Sequence, residues 1–149
     1  MKPSLLIAAA GAALLANLPA AAADLAAQGK DLFAANCAAC HNADASGIAG
    51  VAPPLANALR ERLRGPAGQA YLANVLVHGL AGPIESQGQS FNGVMPPFAA
   101  LPDTSLLAVM AWLNAQNGQP GSVGGAEALA AARAERKTPG AVRKLREAR

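Results

Sequence analysis

Rings and sulfur are scarce in this chain. It holds one tryptophan, one tyrosine, three phenylalanines, two cysteines and two histidines among 149 residues. So few aromatic side chains leave little bulk for a core built from protein alone. β-Branched residues are also few, and no alternating apolar and polar run marks a strand. Alanine and leucine dominate, so the composition reads as all-α. The two cysteines have no second CxxC or HxxxH pair to complete a common zinc site. No Ser/His/Asp set, paired-carboxylate signature or phosphate-binding loop is present, which removes the usual hydrolytic and phosphoryl-transfer chemistries. No internal repeat stands out, and beyond the first residues no apolar run approaches the ~20 residues of a membrane span.

The first residues carry an address. "MKPSLLIAAAGAALLANLPAAAAD" has Lys2, an apolar run from Leu5 to Leu18, and Ala21-Ala22-Ala23 before Asp24. The run is about 14 residues, short for a spanning helix. The layout is that of a secretory signal peptide over residues 1–23, cleaved near Ala23, and it implies export to the periplasm. A retained N-terminal anchor is the competing reading.

The remainder suits one domain, 24–118, followed by a linker and extension, 119–149. Helices are predicted at Leu25 to Asn36, Leu55 to Leu63, Gly68 to His78 and over "SLLAVMAWLNAQ", the last capped by Asp103 or Thr104. "GLAGPIESQGQSFNGVMPPFAALP" holds too many glycines and prolines for a regular element.

Both cysteines lie in "NCAACHNADASG", residues 36–47. A thioredoxin-like redox pair needs a strand-to-helix turn in a βαβ setting, and no strands are predicted. Zinc would need Cys37, Cys40, His41 and His78, with two ligands adjacent in sequence. A plain disulfide accounts for two cysteines in an exported chain but leaves His41 unexplained. Covalent haem attachment accounts for all three: the thiols of Cys37 and Cys40 add to the porphyrin vinyl groups, and His41 offers an imidazole to the iron.

From about Leu25 to Asn117 the chain resembles class I monohaem cytochromes c. Gly29 to Phe33 matches the G-x-x-x-F helix before the haem motif, Pro53 in "VAPPL" the proline after it, Met95 in "NGVMPPF" the loop methionine, and Trp112 the aromatic of the terminal helix. The resemblance implies a small helical domain wrapped around one covalently bound haem c. It implies that the Pro53 carbonyl orients His41 and that His41 and Met95 are the axial iron ligands. Gly29 would let two helices approach, with Phe33, Val109 and Trp112 meeting at the crossing. Gly93 would allow close backbone approach near Met95, and Asn92 or Gln89 would hydrogen-bond near the sulfur. Met110, inside a helix, reads as core. His78 is the rival iron ligand; its other reading is a side chain that satisfies a helix-end carbonyl. Tyr71 either meets a haem propionate or simply packs.

His/Met ligation leaves no open iron position and raises the reduction potential relative to more basic ligand pairs. The expected function is electron transfer, as a periplasmic carrier or the small cytochrome subunit of a dehydrogenase or reductase, with no catalysis of its own. The alternative is a haem enzyme or gas sensor with an open or displaceable distal position. Expected partners are redox proteins: a dehydrogenase, a reductase or a terminal oxidase. Nucleic acid is not expected.

Residues 24–126 hold four basic against six acidic side chains, and residues 127–149 seven against three. The basic excess is therefore made by the tail. By composition the tail is a solvated, partly disordered extension, with Thr138-Pro139 able to start a short helix. As a docking arm it would meet an acidic partner or an anionic membrane surface. Every expected haem contact precedes residue 120.

Overall fold

The computed structural model describes residues 18–120 and 124–147; most of the expected leader lies outside them. Residues 18–23, around the expected cleavage site, are helical. Helices dominate: α1 (Leu18–Asn36), α2 (Ala38–His41), α3 (Gly65–His78), α4 (Asp103–Gln116), α5 (Gly125–Ala134) and α6 (Pro139–Glu147). Two strands, β1 (Leu80–Ser86) and β2 (Gln89–Met95), interrupt them between α3 and α4. No described helix is long and apolar enough to cross a membrane.

The crossing of α1 with α4 is the frame. A Cβ added at Gly29 would lie 1.9 Å from the Ala108 carbonyl oxygen and 2.9 Å from Trp112 Cβ. Only glycine lets the two backbones come this close. One turn on, Phe33 meets Trp112 with ring centroids 4.4 Å apart and planes tilted by 41°. Phe33, Val109, Trp112 and Leu113 are all buried there.

The predicted helix over residues 55–63 does not form; the segment is a series of turns. The end of α4 captures its backbone instead. Asn57 has φ of 58°, outside the helical region, and its N–H donates to the Gln116 carbonyl. Asn117, fully buried, accepts from Leu59 N–H at 2.8 Å and donates to the Leu55 and Leu113 carbonyls at 3.0 and 2.8 Å. One side chain thus ties the turns to α4. Neither Asp103 nor Thr104 caps α4: Pro102 is the N-cap, and the Asp103 carboxylate pairs with Arg133 of α5.

The glycine-rich stretch after α3 is regular, contrary to expectation. β1 and β2 form an antiparallel hairpin from Leu80↔Met95 to Ser86↔Gln89. Its two-residue turn, Gln87-Gly88, has both φ values positive, at 50° and 74°, as a tight hairpin of the I′ kind requires. Pro83 is tolerated because each strand of a two-stranded sheet has one open edge. Gly79, at φ of 77°, ends α3 and starts the hairpin, and a Cβ there would lie 2.4 Å from the Met95 carbonyl oxygen. Gly79 is thus where the protein backbone closes on Met95. Gly93 lines the cleft, and a Cβ added there would meet no protein atom nearer than 3.9 Å.

The tail folds back on the domain. α5 packs on α3 and α4 and buries Leu129 and Ala132. Arg133 donates to the Ala99 and Leu101 carbonyls at 2.9 and 2.8 Å, clamping the loop before α4. Thr138 Oγ1 accepts from Ala141 N–H at 3.1 Å and so starts α6. α6 packs on α3 and β1, burying Val142 completely. Composition undervalued these few large residues, because three well-placed side chains are enough to seat two short helices on an existing core.

Candidate haem-binding site

Cys37 continues α1, its N–H donating to the Phe33 carbonyl at 2.8 Å, and α2 follows as a single turn. Positions i, i+3 and i+4 of one helical turn share a face. Cys37, Cys40 and His41 accordingly line one cleft, and both cysteines are free thiols. Burial, with the neighbouring Cys40 adding to it, pushes the Cys37 thiol up to about 11. Cys37 is therefore a neutral thiol at physiological pH, unlike the low-pKa thiolates of redox pairs. No parallel sheet is present among the described residues to support such a pair.

His41 is 7% exposed, and its Nδ1 lies 3.0 Å from the Pro53 carbonyl oxygen. A carbonyl can only accept, so Nδ1 carries the hydrogen and Nε2 keeps its lone pair. Burial lowers the His41 pKa from its ordinary value, with the Pro53 bond opposing. The ring is thus a neutral, oriented donor. The loop that returns Pro53 to it depends on Gly47, with φ of 75°, where a Cβ would lie 2.6 Å from the Pro53 carbonyl carbon. Gly47 N–H in turn donates to the His41 carbonyl at 2.9 Å.

Met95 enters the same cleft from the end of β2. Its backbone is held by pairing with Leu80, and three residues later Phe98 N–H is anchored to the Leu76 carbonyl at 2.8 Å. The remaining walls are apolar, with Phe33, Leu59, Leu72, Val75, Phe91 and Val109 among them. Asn92 and Gln89 are exposed on β2 and do not line the cleft. His78 lies elsewhere, with Nε2 2.8 Å from the Ala132 carbonyl of α5. It serves the helix packing and does not meet His41. Among the described residues no group of three or more His, Cys, Asp or Glu side chains is placed to hold a metal ion.

The donor set suits a haem: two neighbouring thiols, a neutral imidazole with one lone pair available, a thioether and an apolar cleft between them. Sequence reasoning placed Met95 in an irregular loop and missed the hairpin that carries it. It also missed Arg146, which lines the cleft from α6. No local signal marked that residue, since its position depends on how the tail folds.

The family profile described as Cytochrome c matches residues 26–117. A cytochrome c-552 of Thermus thermophilus is 39% identical over 131 residues, covering 85% of this chain and 85% of that protein. A second Thermus thermophilus cytochrome c-552 is 40% identical over 110 residues, covering 70% of this chain and 84% of that protein. With the helix crossing, the thiol pair and the oriented histidine framing one apolar cleft, the chain belongs to the cytochrome c family, whose members carry covalently attached haem c and transfer electrons with redox partner proteins.

Proposed function

We propose that this protein is an exported single-electron carrier with one haem held by Cys37 and Cys40 and ligated by His41 and Met95. The observation that supports this reading is the meeting of four donors in one cleft, with His41 tied at Nδ1 to Pro53. Cys37 and Cys40 would hold the haem covalently through their sulfurs. When bound, the haem supplies a one-electron Fe(III)/Fe(II) couple.

The residues do the rest. Pro53 holds the His41 proton on Nδ1, which leaves Nε2 free to bind iron and strengthens it as a ligand. Gly79 and the hairpin register hold the backbone of Met95, whose thioether would be the second protein ligand. A haem held by both His41 and Met95 would offer no open coordination site to a substrate, which favours electron transfer over bond-making chemistry. A peroxidase-like enzyme would need an acid or base on the distal side, whereas the one carboxylate of the hairpin, Glu85, accepts from Ser90 on its exposed face.

The partners of such a carrier are a dehydrogenase, a reductase or a terminal oxidase, and the place is the periplasm, given the leader at residues 1–23. The role of the tail as a charged docking arm is weakened by its own pairing: Arg133, Lys137 and Arg143 are matched with Asp103, Glu135 and Glu147. The test is expression in a host that matures c-type cytochromes. Acid–organic extraction should leave haem on the chain, and mass spectrometry should find one haem per mature polypeptide. Met95→Ala should abolish the weak far-red sulfur-to-iron band of the ferric protein, and His78→Ala should keep it. Extractable haem, or a band lost with His78 and kept without Met95, defeats the assignment.

A further inference from the structure

Met95 reaches the cleft on a hairpin that has little burial of its own. Within β1 and β2 only Ser86 and Phe91 are buried. A two-stranded hairpin by itself is marginally stable in water. Its ends are fixed by the tight approach at Gly79 and by the bond from Phe98 N–H to the Leu76 carbonyl. Between these ends, α6 is the one described helix that makes more than marginal contact with it.

The support has an apolar part and a polar part. Val142 of α6, fully buried, forms a cluster with Tyr71 and Val75, and Leu80, Leu145 and Met95 itself pack against that cluster. Leu80 is also the register partner of Met95. The two large apolar side chains of α6, Val142 and Leu145, thus both bear on the strand pair that carries the thioether. Arg143 lies against β1 at Gly82, where a Cβ would stand 3.1 Å from its Nε and 3.3 Å from its Cδ. Further along the strand, Arg146 Nη2 donates to the Glu85 carbonyl at 2.7 Å. Helix α6 therefore grips β1 from Leu80 to Glu85.

We infer that α6 is a brace on the ligand hairpin, with Val142 and Leu145 as positioning residues that set how firmly Met95 holds the iron. This rests on the haem reading above. With α6 seated, the hairpin is fixed and the thioether keeps its place. With α6 displaced, the hairpin loses its helix support, and an added nitrogen ligand can replace the Met95 sulfur with no change of oxidation state. The C-terminal helix is then the part of the chain that keeps an electron carrier from becoming a ligand-binding haem protein. The apparent affinity for an added ligand scales with the fraction of molecules in which its position is free. Weakening the seat of α6 therefore tightens ligand binding.

The experiment is an imidazole titration of full-length ferric holoprotein at fixed pH, followed by loss of the far-red sulfur-to-iron band. The proteins are wild type, Val142→Ala, Val142→Ile, Leu145→Ala, Leu129→Ala, Met95→Ala, and Val142→Ala combined with Met95→Ala; the two that lack Met95 are followed by the Soret band. Val142→Ala should tighten imidazole binding on the order of tenfold, the worth of two buried methyl groups. Leu145→Ala should act in the same direction, and Val142→Ile should stay near wild type. Leu129 is buried in α5, which packs on α3 and α4, so Leu129→Ala controls for lost stability and should leave the affinity in place. Because α6 acts through Met95, Val142→Ala should add nothing once Met95 is alanine. The inference is overturned if Val142→Ala and Leu145→Ala both bind imidazole as wild type does, if Leu129→Ala tightens binding as far, or if the effect of Val142→Ala persists without Met95. If Val142→Ala fails to accumulate, Leu145→Ala against Leu129→Ala carries the same decision. Mass spectrometry and Met95→Ala alone identify failure of the haem reading: no covalent haem, or a Met95→Ala affinity no higher than wild type, defeats that reading and this inference with it.

Discussion

Gly29→Ala is a sensitive test of the helix crossing, because two effects of opposite sign compete there. Alanine is better than glycine in a helix by about 1 kcal/mol. On an exposed face the change would therefore stabilise. Here the new Cβ would lie 1.9 Å from the Ala108 carbonyl oxygen and 2.5 Å from its carbonyl carbon, against 3.4 Å for ordinary contact. Those are backbone atoms, so no side chain can rotate aside. Relief requires α1 and α4 to separate by roughly 1.5 Å, which loosens a core packed at crystal-like density. Overpacking of this kind costs about 1–3 kcal/mol and occasionally more. The Phe33–Trp112 contact would open with it, adding to the loss. The expected balance is net destabilisation of at least about 1 kcal/mol. Guanidinium unfolding of the holoprotein, followed by far-UV circular dichroism, should show a lower midpoint with an unchanged slope. A midpoint equal to or above wild type would refute the reasoning, since it would mean that the helices have slack at Gly29.

Other changes test other joints. Trp112→Ala should cost about 3–5 kcal/mol, read in the same unfolding assay, because the ring is buried at the centre of the crossing. Asn117→Ala should cost at least about 2–3 kcal/mol, since it strands the Leu59 N–H and removes donors from the Leu55 and Leu113 carbonyls; a near-neutral result would mean that water replaces the amide. Truncation after residue 135 should lower the midpoint and shift the reduction potential, because α6 covers Tyr71 and Val75 and carries Arg146. A truncated protein matching full length in both, but with a slower low-salt electron-transfer rate to its partner, would restore the docking-arm reading.

The proximal half of the site was legible because it is local. Cys37, Cys40 and His41 lie within five consecutive residues, and one helical turn is enough to put them on one face. The all-α reading followed from alanine and leucine for the same reason: helix propensity is a short-range property. Gly29, Phe33 and Trp112 were legible as partners only through the family pattern, and the structure supplied the reason, a backbone approach with no room for a methyl group. The rest depended on contacts far apart in sequence. Residues 55–63 had a helical composition but found better hydrogen-bond partners on Asn117, 58 residues from Leu59. Gly82, Pro83 and Gly93 read locally as breakers, yet the register from Leu80 to Met95 makes a hairpin of that stretch and gives Met95 a fixed backbone. The tail read as a charged, solvated arm because net charge adds along the chain without regard to direction. Only folding turned Arg133 toward the loop before α4, buried Val142, and brought Arg146 to the cleft, since burial is decided by the surface a side chain meets and no stretch of residues carries that surface by itself.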